Sequence, residues 1–178
     1  MDALDNGFDT FSKSAYRLEV LPQYSIYDTN EYFEYEKFIK GESIEGFANQ
    51  EWLECITQWK NDGKVIERVR VIPQVLTDYF KYEFLWCYPR NIERGENIRF
   101  VSYDNFVSIC GGNILNDFWA FDKEKVVLLL YNDKFEYENC MQLSQKDANS
   151  HLNILEKLQA KTIDYEQCKK GLLWNQKG

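Results

Sequence analysis

The pattern of apolar and polar positions predicts strands and helices that form a mixed β-sheet. The clearest strand is Lys64–Ile72 (KVIERVRVI), which is rich in Val and Ile and alternates apolar with charged residues over its second half. A second strand is predicted at Asn97–Tyr103. Three further segments, Asp117–Asp122, Lys125–Asn132 and Phe135–Leu143, are separated by short polar turns and predict a three-stranded antiparallel meander.

Apolar residues spaced three or four apart predict the helices. One predicted helix follows Thr29 and ends at Gly41, and a second spans Gln50–Asn61 with Asn49 as its N-cap. A third runs from about Gln74 to Trp86, where Pro89 interrupts it, and a short piece is predicted at Asn105–Ile109. A long final helix is predicted at Lys146–Trp174, with Ile163 facing inward. We also predict an extended segment at Ala15–Leu21, a loop at Gly46–Asn49 and a turn at Gly111–Asn113.

The composition fits one folded domain of the α/β class, with α+β as the alternative. A chain of 178 residues has the size of a single domain. Hydrophobic residues make up 44% of the chain and include 12 Phe, 12 Tyr and 5 Trp, which is enough aromatic surface to fill a core. The chain shows no internal repeat or linker. We therefore expect one domain over residues 1–178, with its core between about residues 10 and 174.

The net charge limits the classes of partner that the sequence predicts and bears on the expected cellular location. A formal charge of −8 and a pI near 4.8 argue against direct binding to nucleic acid or to an anionic membrane. No apolar run approaches the roughly 20 residues of a membrane-spanning helix, and the acidic N-terminus lacks the pattern of a secretory signal. We therefore expect a cytoplasmic protein.

Motifs for metals, cofactors and nucleophilic catalysis are missing from the sequence. The five cysteines are scattered without a CxxC pair and there is one histidine, so we expect reduced thiols and no metal site. Neither GxGxxG nor GxxxxGK[ST] occurs, so we expect no cofactor. No base can be assigned to Cys110, and no acidic or serine motif surrounds His151, so we assign no catalytic residue.

Two arginines on the clearest strand are the sharpest chemical signal. Arg68 and Arg70 are two positions apart, so both side chains point to the same face of the sheet. Buried guanidiniums need partners, which are either acidic side chains or an anionic ligand. We expect Arg68 to be structural and Arg70 to face a cleft. At least one of them should contact a carboxylate from the set Glu19, Glu83, Asp117 and Asp122.

The segment DFWAFD (117–122) alternates acidic and aromatic residues. Trp119 and Asp122 could form the floor of a pocket that stacks on a planar ligand and bonds to it. The alternative is an ordinary hairpin with packing aromatics and an aspartate in its turn.

Five blocks in fixed order carry a resemblance to a known family: SAYRLE (14–19), GKVIERVRVI (63–72), LTDYFKYE (76–83), YPRNIERGENIR (88–99) and DFWAFD (117–122). With these blocks the chain resembles small proteins of a domain-of-unknown-function family. That family is found mainly in actinobacteria and is often encoded beside XRE-type helix-turn-helix regulators. More distantly, the chain resembles one half of a phospholipase-D-like domain. It lacks the HxK motif of that superfamily, so the resemblance implies no phospholipase-D-type activity.

Together these observations lead to three functional hypotheses. The first is a non-catalytic sensor or accessory protein that binds a small anionic ligand or a protein partner. The second is an immunity or antitoxin protein that masks a basic toxin. The third is a hydrolase or nuclease in which carboxylates such as Glu83, Asp117 and Asp122 hold Mg²⁺. The candidate ligand-binding residues are Arg68, Arg70, Tyr79, Glu83, Arg99, Asp117, Trp119 and Asp122.

Overall fold

A single six-stranded mixed sheet organises the domain. The structure is a computed structural model that describes residues 2–27, 29–43, 48–111 and 116–174. The strands are β1 (Ser14–Glu19), β2 (Val65–Ile72), β3 (Asn97–Ser102), β4 (Phe118–Phe121), β5 (Lys125–Tyr131) and β6 (Tyr137–Gln142). Their order across the sheet is β3-β2-β1-β4-β5-β6. β1, β2 and β3 run parallel, whereas β4 runs antiparallel to β1 and continues into an antiparallel meander. The predicted α/β class, with a mixed sheet and flanking helices, is confirmed.

Helices flank both faces of the sheet. They are α1 (Ala3–Thr10), α2 (Asn30–Lys40), α3 (Gln50–Asn61), α4 (Asp78–Tyr82), a π-helical segment (Glu83–Cys87), α5 (Tyr88–Arg94), α6 (Tyr103–Cys110), α7 (Gln145–Gln159) and α8 (Tyr165–Trp174). The predictions for α2 and α3 are confirmed. Gly41 ends α2 in a left-handed conformation with φ 68°. Asn49 occupies the N-cap position of α3, although its side chain makes no capping hydrogen bond. None of the helices in these ranges combines the length and apolar character that crossing a membrane requires.

Side chains that alternate along each strand divide the core between two faces. On the first face, Leu18, Val69 and Phe118 pack against α7 through Leu155 and Leu158. The second face carries two aromatic clusters. One joins Phe11, Trp119 and Phe121, with the partly buried Phe8, Trp52 and Trp59 packed against it, and the other joins Phe80, Phe84, Tyr88 and Phe100. Between these clusters lie the charged side chains of β1 and β2.

The helix predicted from Gln74 begins later, at Asp78, and continues past Pro89 to Arg94. Thr77 sets its start, because the hydroxyl of Thr77 accepts a hydrogen bond from the Phe80 amide at 3.0 Å. A proline inside a helix removes a hydrogen bond and crowds the carbonyl four residues before it. The wider π-helical segment ends at Cys87, two residues before Pro89, and includes Leu85, whose carbonyl the proline would crowd in a regular helix. The chain therefore stays helical where an interruption was predicted.

The prediction of one final helix, Lys146–Trp174, is wrong. α7 ends at Gln159 and α8 begins at Tyr165. In the gap, Ile163 forms a two-way backbone bridge with Phe100, with N···O distances of 2.9 and 2.8 Å. This bridge pairs the backbone of Ile163 with the edge of β3. The Ile163 residue is 39% exposed and does not face inward. Sheet pairing outweighs the helical pattern here.

Smaller boundaries also differ from the predictions. The strand predicted to reach Tyr103 ends at Ser102, because the Ser102 hydroxyl caps α6 by accepting from the Asn105 amide at 3.2 Å. α6 is consequently longer than the predicted Asn105–Ile109. In the predicted turn, Gly111 ends α6 with φ 63°, and residues 112 and 113 lie outside the described residues. So do residues 46 and 47 of the predicted loop.

Two glycines in helices test the packing of α1 against the sheet. A Cβ on Gly7 would lie 2.2 Å from a ring carbon of Phe121, whereas a Cβ on Gly171 in α8 would meet nothing within 4 Å. We expect Gly7→Ala to lower the free energy of unfolding by about 1–3 kcal/mol. Gly171→Ala should raise it by about 0.5–1 kcal/mol, because alanine favours a helix. Urea denaturation measures both, and equal effects would show that α1 does not pack closely on Phe121.

Candidate functional site

The register of β1 and β2 concentrates charge at the centre of the second face. In this parallel pair Arg17 lies opposite Arg68, and Glu19 lies opposite Arg70. All four side chains point to the same face because they fall at alternate positions of their strands. Like charges directly opposite each other destabilise a sheet. An acidic partner is therefore needed between the arginines.

Glu19 is that partner. Its Oε1 accepts from Arg68 Nη1 at 2.7 Å and lies 3.0 Å from Arg17 Nη2. Its Oε2 lies 3.9 Å from Arg70 Nε. Burial opposes ionisation of this carboxyl, but the three guanidiniums together lower its pKa to about 2. Glu19 is therefore an ionised carboxylate in the folded protein at neutral pH.

Further carboxylates complete a charge network, which consists of Arg17, Glu19, Arg68, Arg70, Glu83, Glu96 and Asp117. Arg68 Nε donates to Glu96 Oε1 at 2.8 Å, and Asn91 donates to the other oxygen of Glu96 at 2.7 Å. Arg70 Nη1 donates to the Leu21 carbonyl at 2.7 Å, and Arg70 Nη2 lies 3.8 Å from Glu83 Oε2. The prediction that an arginine of this strand contacts a carboxylate of the expected set is confirmed.

Asp117 closes the network on the side of β4. Its Oδ1 accepts from the Val20 amide at 2.8 Å, and its Oδ2 accepts from the Tyr24 hydroxyl and lies 3.8 Å from Arg17 Nη2. Burial raises the pKa of Asp117, and it raises the pKa of Tyr24 well above its usual value. The hydroxyl of Tyr24 therefore remains protonated and available as a donor.

A cavity of about 450 Å³ lies over one side of this network. Aromatic side chains from α1, α3, α4, α5 and strands β4 and β5 contribute to its walls, among them Phe8, Trp52, Tyr79, Tyr88, Trp119 and Tyr131. The polar and charged residues of its lining are Arg17, Glu19, Ser25, Thr29, Glu31, Asn49, Arg68, Glu83 and Asn91. We call this space the aromatic cavity.

The π-helical segment helps to form the aromatic cavity. Its first residue, Glu83, and its last, Cys87, both line the space. Tyr88 follows directly, and its hydroxyl donates to Glu83 Oε2 at 2.9 Å. Single π-helical turns occur often at functional sites because they change which side chains a helix presents. Burial raises the pKa of the Cys87 thiol well above its usual value, so Cys87 is not a reactive thiolate.

The structure brings together four of the candidate residues. Arg68, Tyr79, Glu83 and Trp119 line the aromatic cavity. The expectation that Arg70 faces a cleft is wrong, because Arg70 is fully buried at 0% exposure. Arg68 lines the cavity and also pairs with the buried carboxylates of Glu19 and Glu96, which agrees with the structural role expected for it. Arg70 lies instead beneath aromatic rings, with its guanidinium carbon 5.3 Å from the centre of Phe80.

The other candidates lie elsewhere. Asp117 belongs to the charge network and borders a separate cavity of about 290 Å³. Arg99 points to the first face of the sheet, where its Nε donates to the Thr162 hydroxyl at 2.8 Å. Asp122 lies in the β4–β5 turn, where it accepts from the amides of Ser12, Lys13 and Ser14 at 2.8, 2.7 and 2.9 Å. This supports the hairpin interpretation of Asp122 over a place in a pocket floor.

The carboxylates named for a Mg²⁺ site do not converge. Glu83, Asp117 and Asp122 each bond to different protein groups. Within the described ranges, no three His, Cys, Asp or Glu side chains are grouped so that they could hold a metal ion.

Sequence reasoning missed several residues of the site. Arg17 was missed, although Arg17 and Glu19 have the same two-residue spacing in SAYRLE as Arg68 and Arg70, and Glu19 was expected only as a carboxylate partner. Glu31 and Asn49 lie at the starts of α2 and α3, and only tertiary packing brings them to the cavity. No local pattern marks such residues.

Removing Arg68 tests whether the charge network holds the fold together. Arg68→Ala leaves the buried carboxylate of Glu96 without its guanidinium and removes the shortest ion pair of Glu19, so the free energy of unfolding should fall by about 3–5 kcal/mol. Lys81→Ala is the matched control, because Lys81 forms a 2.8 Å ion pair with Asp78 at the surface. That change should cost less than about 1 kcal/mol. Chemical denaturation compares them, and a small loss in both variants would contradict the structural role of Arg68.

Glu83 predicts a pH dependence of stability. Burial and the neighbouring Glu19 carboxylate raise the pKa of Glu83 to about 7, against the opposing effect of Arg70. The unfolded chain ionises this group near pH 4.5, so the folded state holds an extra proton between about pH 4.5 and 7. The contribution of Glu83 to the free energy of unfolding is therefore fully present below pH 4.5 and is lost as the pH rises toward 7. Glu83→Gln, which stays neutral, should not show this loss.

The measurement is the difference in unfolding free energy between wild type and Glu83→Gln, from urea titrations at several pH values. The difference should change in favour of the variant between about pH 5 and 7 and then level off. A constant difference over this range would show that Glu83 ionises normally in the fold.

Comparison with known proteins places this architecture in a family. The family model of a domain of unknown function, DUF6879, matches residues 2–169. No curated protein matches the chain. The matched region includes all six strands, the charge network and the residues that line the aromatic cavity. The chain therefore belongs to the DUF6879 family, as the expectation of a domain-of-unknown-function family had indicated.

Proposed function

We propose that the protein is a non-catalytic sensor or accessory protein that binds a small organic molecule in the aromatic cavity. One observation carries the proposal. Four residues that line the cavity each have a buried polar atom without a hydrogen-bond partner: Arg17 Nε, Asn49 Oδ1, Trp52 Nε1 and Asn91 Oδ1. An unpaired buried polar atom costs about 1–3 kcal/mol, so such atoms are expected where a ligand supplies the partner.

The shape and lining of the cavity support the same proposal. Its volume of about 450 Å³ falls in the range of roughly 300–1,000 Å³ that is typical of small-molecule sites. Trp52 and Trp119, whose ring centres are 5.8 Å apart, provide aromatic surface for a planar group. The charge network beneath fixes Arg17 and Arg68 in place, so the polar side of the cavity is organised before a ligand arrives.

An enzymatic function is the second candidate, and Glu83 is the observation that favours it. A buried carboxyl with a pKa of about 7 in a cavity has the properties of a general acid–base. We prefer the binding function because Glu83 has no assigned nucleophile beside it. Turnover of an identified ligand by the wild type but not by Glu83→Gln would favour the enzyme.

Finer parts of the proposal rest on the sequence. We propose a cytoplasmic location on the basis of the acidic composition. A gene that lies beside an XRE-type regulator, and a distant likeness to one half of a phospholipase-D-like domain, are what the resemblance implies. The masking of a basic toxin remains a further proposal, for which the exposed Tyr27 and Phe33 offer an aromatic surface. Co-purification of a basic partner with the chain would support this proposal, and its absence would count against it.

A charge-balanced set of aromatic and heteroaromatic metabolites tests ligand binding by thermal shift. A ligand at 100 times its Kd contributes about 2.7 kcal/mol, which corresponds to roughly 5–10 °C for a domain of this size. Asn49→Ala should weaken binding of any hit about tenfold, because it removes a polar atom of the cavity lining. It should leave the fold intact, since the Asn49 side chain makes no capping bond.

Asn61→Ala, at the opposite end of the same helix, is the matched control and should bind as the wild type does. The proposal fails if no compound raises the melting temperature. It also fails if hits bind equally well to wild type and Asn49→Ala.

A further inference from the structure

The carboxylates of the charge network outnumber its arginines. Arg17 and Arg68 pair with three of the four carboxylates, namely Glu19, Glu96 and Asp117. Among the described residues, the ion pair of Glu83 is with Arg70 at 3.8 Å, and Arg70 also lies 3.9 Å from Glu19. Its closest polar contact is the Tyr88 hydroxyl at 2.9 Å. Glu83 is thus a buried carboxyl whose guanidinium partner is distant and is shared with Glu19.

Glu31 is a second carboxyl of this kind. It lies in the first turn of α2, is half-buried, and lines the aromatic cavity with Glu83. In the described part of the chain, the side-chain carboxyl of Glu31 makes no hydrogen bond and no ion pair. One carboxyl without an ion pair among the described residues and one with a single 3.8 Å ion pair therefore border the same space.

The arginines that border the cavity are already paired. Arg68 bonds to Glu19 and Glu96, both of which are buried. Arg17 pairs with Glu19, and its guanidinium carbon is 5.7 Å from the centre of the Trp119 ring. An anionic ligand would have to compete with the carboxylate of Glu19, which lies within 3.9 Å of all three guanidiniums.

An independent observation comes from amide oxygens. Asn91 is 3% exposed and lines the cavity. Its Nδ2 donates to Glu96 at 2.7 Å, which identifies Oδ1 as the acceptor, and that atom has no partner. Asn49 Oδ1 is a second unpartnered acceptor on the lining. Free acceptors fit a ligand that carries N–H donors.

We infer that the ligand of the aromatic cavity is a small organic cation, an aromatic or heteroaromatic amine or amidine, whose charged N–H group interacts with Glu31 and Glu83. This inference rests on the proposed ligand-binding function and specifies the chemistry of the ligand. Aromatic walls also favour a cation, because the ring faces of Trp52, Trp119 and Tyr79 carry negative potential.

The charge of the two carboxyls makes binding depend on pH. Burial and the nearby Glu34 and Glu19 carboxylates raise the pKa of Glu31 to about 7, although Arg68 and Arg17 oppose this shift. Burial, Glu19 and Glu31 raise the pKa of Glu83 to about 7, although Arg70 and Arg68 oppose it. Below pH 7 both groups are neutral and attract a cation weakly. Affinity should therefore be full above pH 7 and should fall as the pH decreases below it.

A cation that binds near pH 7 also displaces protons. It holds the two carboxyls ionised, so the complex has fewer protons than the free protein. This release is a direct signature of the mechanism and needs no variant. Isothermal titration calorimetry measures it from the dependence of the binding heat on the ionisation enthalpy of the buffer.

The test compares ligands that share a ring and differ in charge. Tryptamine is a cation, tryptophol is neutral and indole-3-acetate is an anion at pH 6–8, and tyramine, tyrosol and 4-hydroxyphenylacetate form a second series. We expect the amines to bind at least tenfold more tightly than the alcohols and acids at pH 8. Their affinity should fall about tenfold by pH 6, and at pH 7 their binding should release protons.

Glu31→Gln should weaken amine binding about tenfold and reduce the proton release. Glu51→Gln, at an exposed position on α3, is the matched control and should change neither. Equal or tighter binding of an acid or alcohol would overturn the cation inference and leave the ligand-binding function standing. If the metabolite set gives hits but no amine of either series binds, the inference also fails. If nothing binds at all, both proposals fail.

Discussion

Three guanidinium groups share one face of the sheet, and they can be buried there because the carboxylate of Glu19 lies among them. Arg17 and Arg68 occupy opposing positions on neighbouring strands, where two like charges would repel each other. Glu19 bonds to both within 3.0 Å and lies near Arg70 as well. Replacing such a network by apolar residues can be neutral or stabilising, whereas removing one member is costly. The network is therefore better explained by the positions that it gives to neighbouring side chains than by a contribution to the free energy of unfolding.

The network determines how the helices cover this face. The first face is filled by aliphatic and aromatic side chains under α7, as in an ordinary core. The second face has charge at its centre, so aromatic rings cover it: Tyr88 lies 5.7 Å from the Arg68 guanidinium carbon and Phe80 lies 5.3 Å from that of Arg70. Rings can contact both a cation and an apolar neighbour. The aromatic cavity follows from this arrangement, because helices that rest on charged side chains do not interlock as they would on an apolar sheet.

The sequence predicted features that depend on local spacing. The two-residue period placed Arg68 and Arg70 on one face, and turn residues separated the strands of the meander. Features that depend on distant contacts could not be predicted. Ile163 leaves a helical pattern because the backbone of Phe100 offers an edge to pair with. Which arginine borders the cavity depends on how α4 and α5 lie over β2, and no spacing in β2 specifies that.

Glu83 and Glu31 are the main support for the proposed cationic ligand. Glu83 could be replaced by glutamine with less desolvation cost, since Tyr88 would retain a hydrogen-bond partner. A carboxyl whose pKa is raised to about 7 instead reduces the stability of the free protein at neutral pH. A second such group, Glu31, borders the same cavity. Close ion pairs can lower the pKa of a buried acid, as Arg17, Arg68 and Arg70 do for Glu19. Carboxyls whose pKa is raised beside a cavity fit the cation site proposed above.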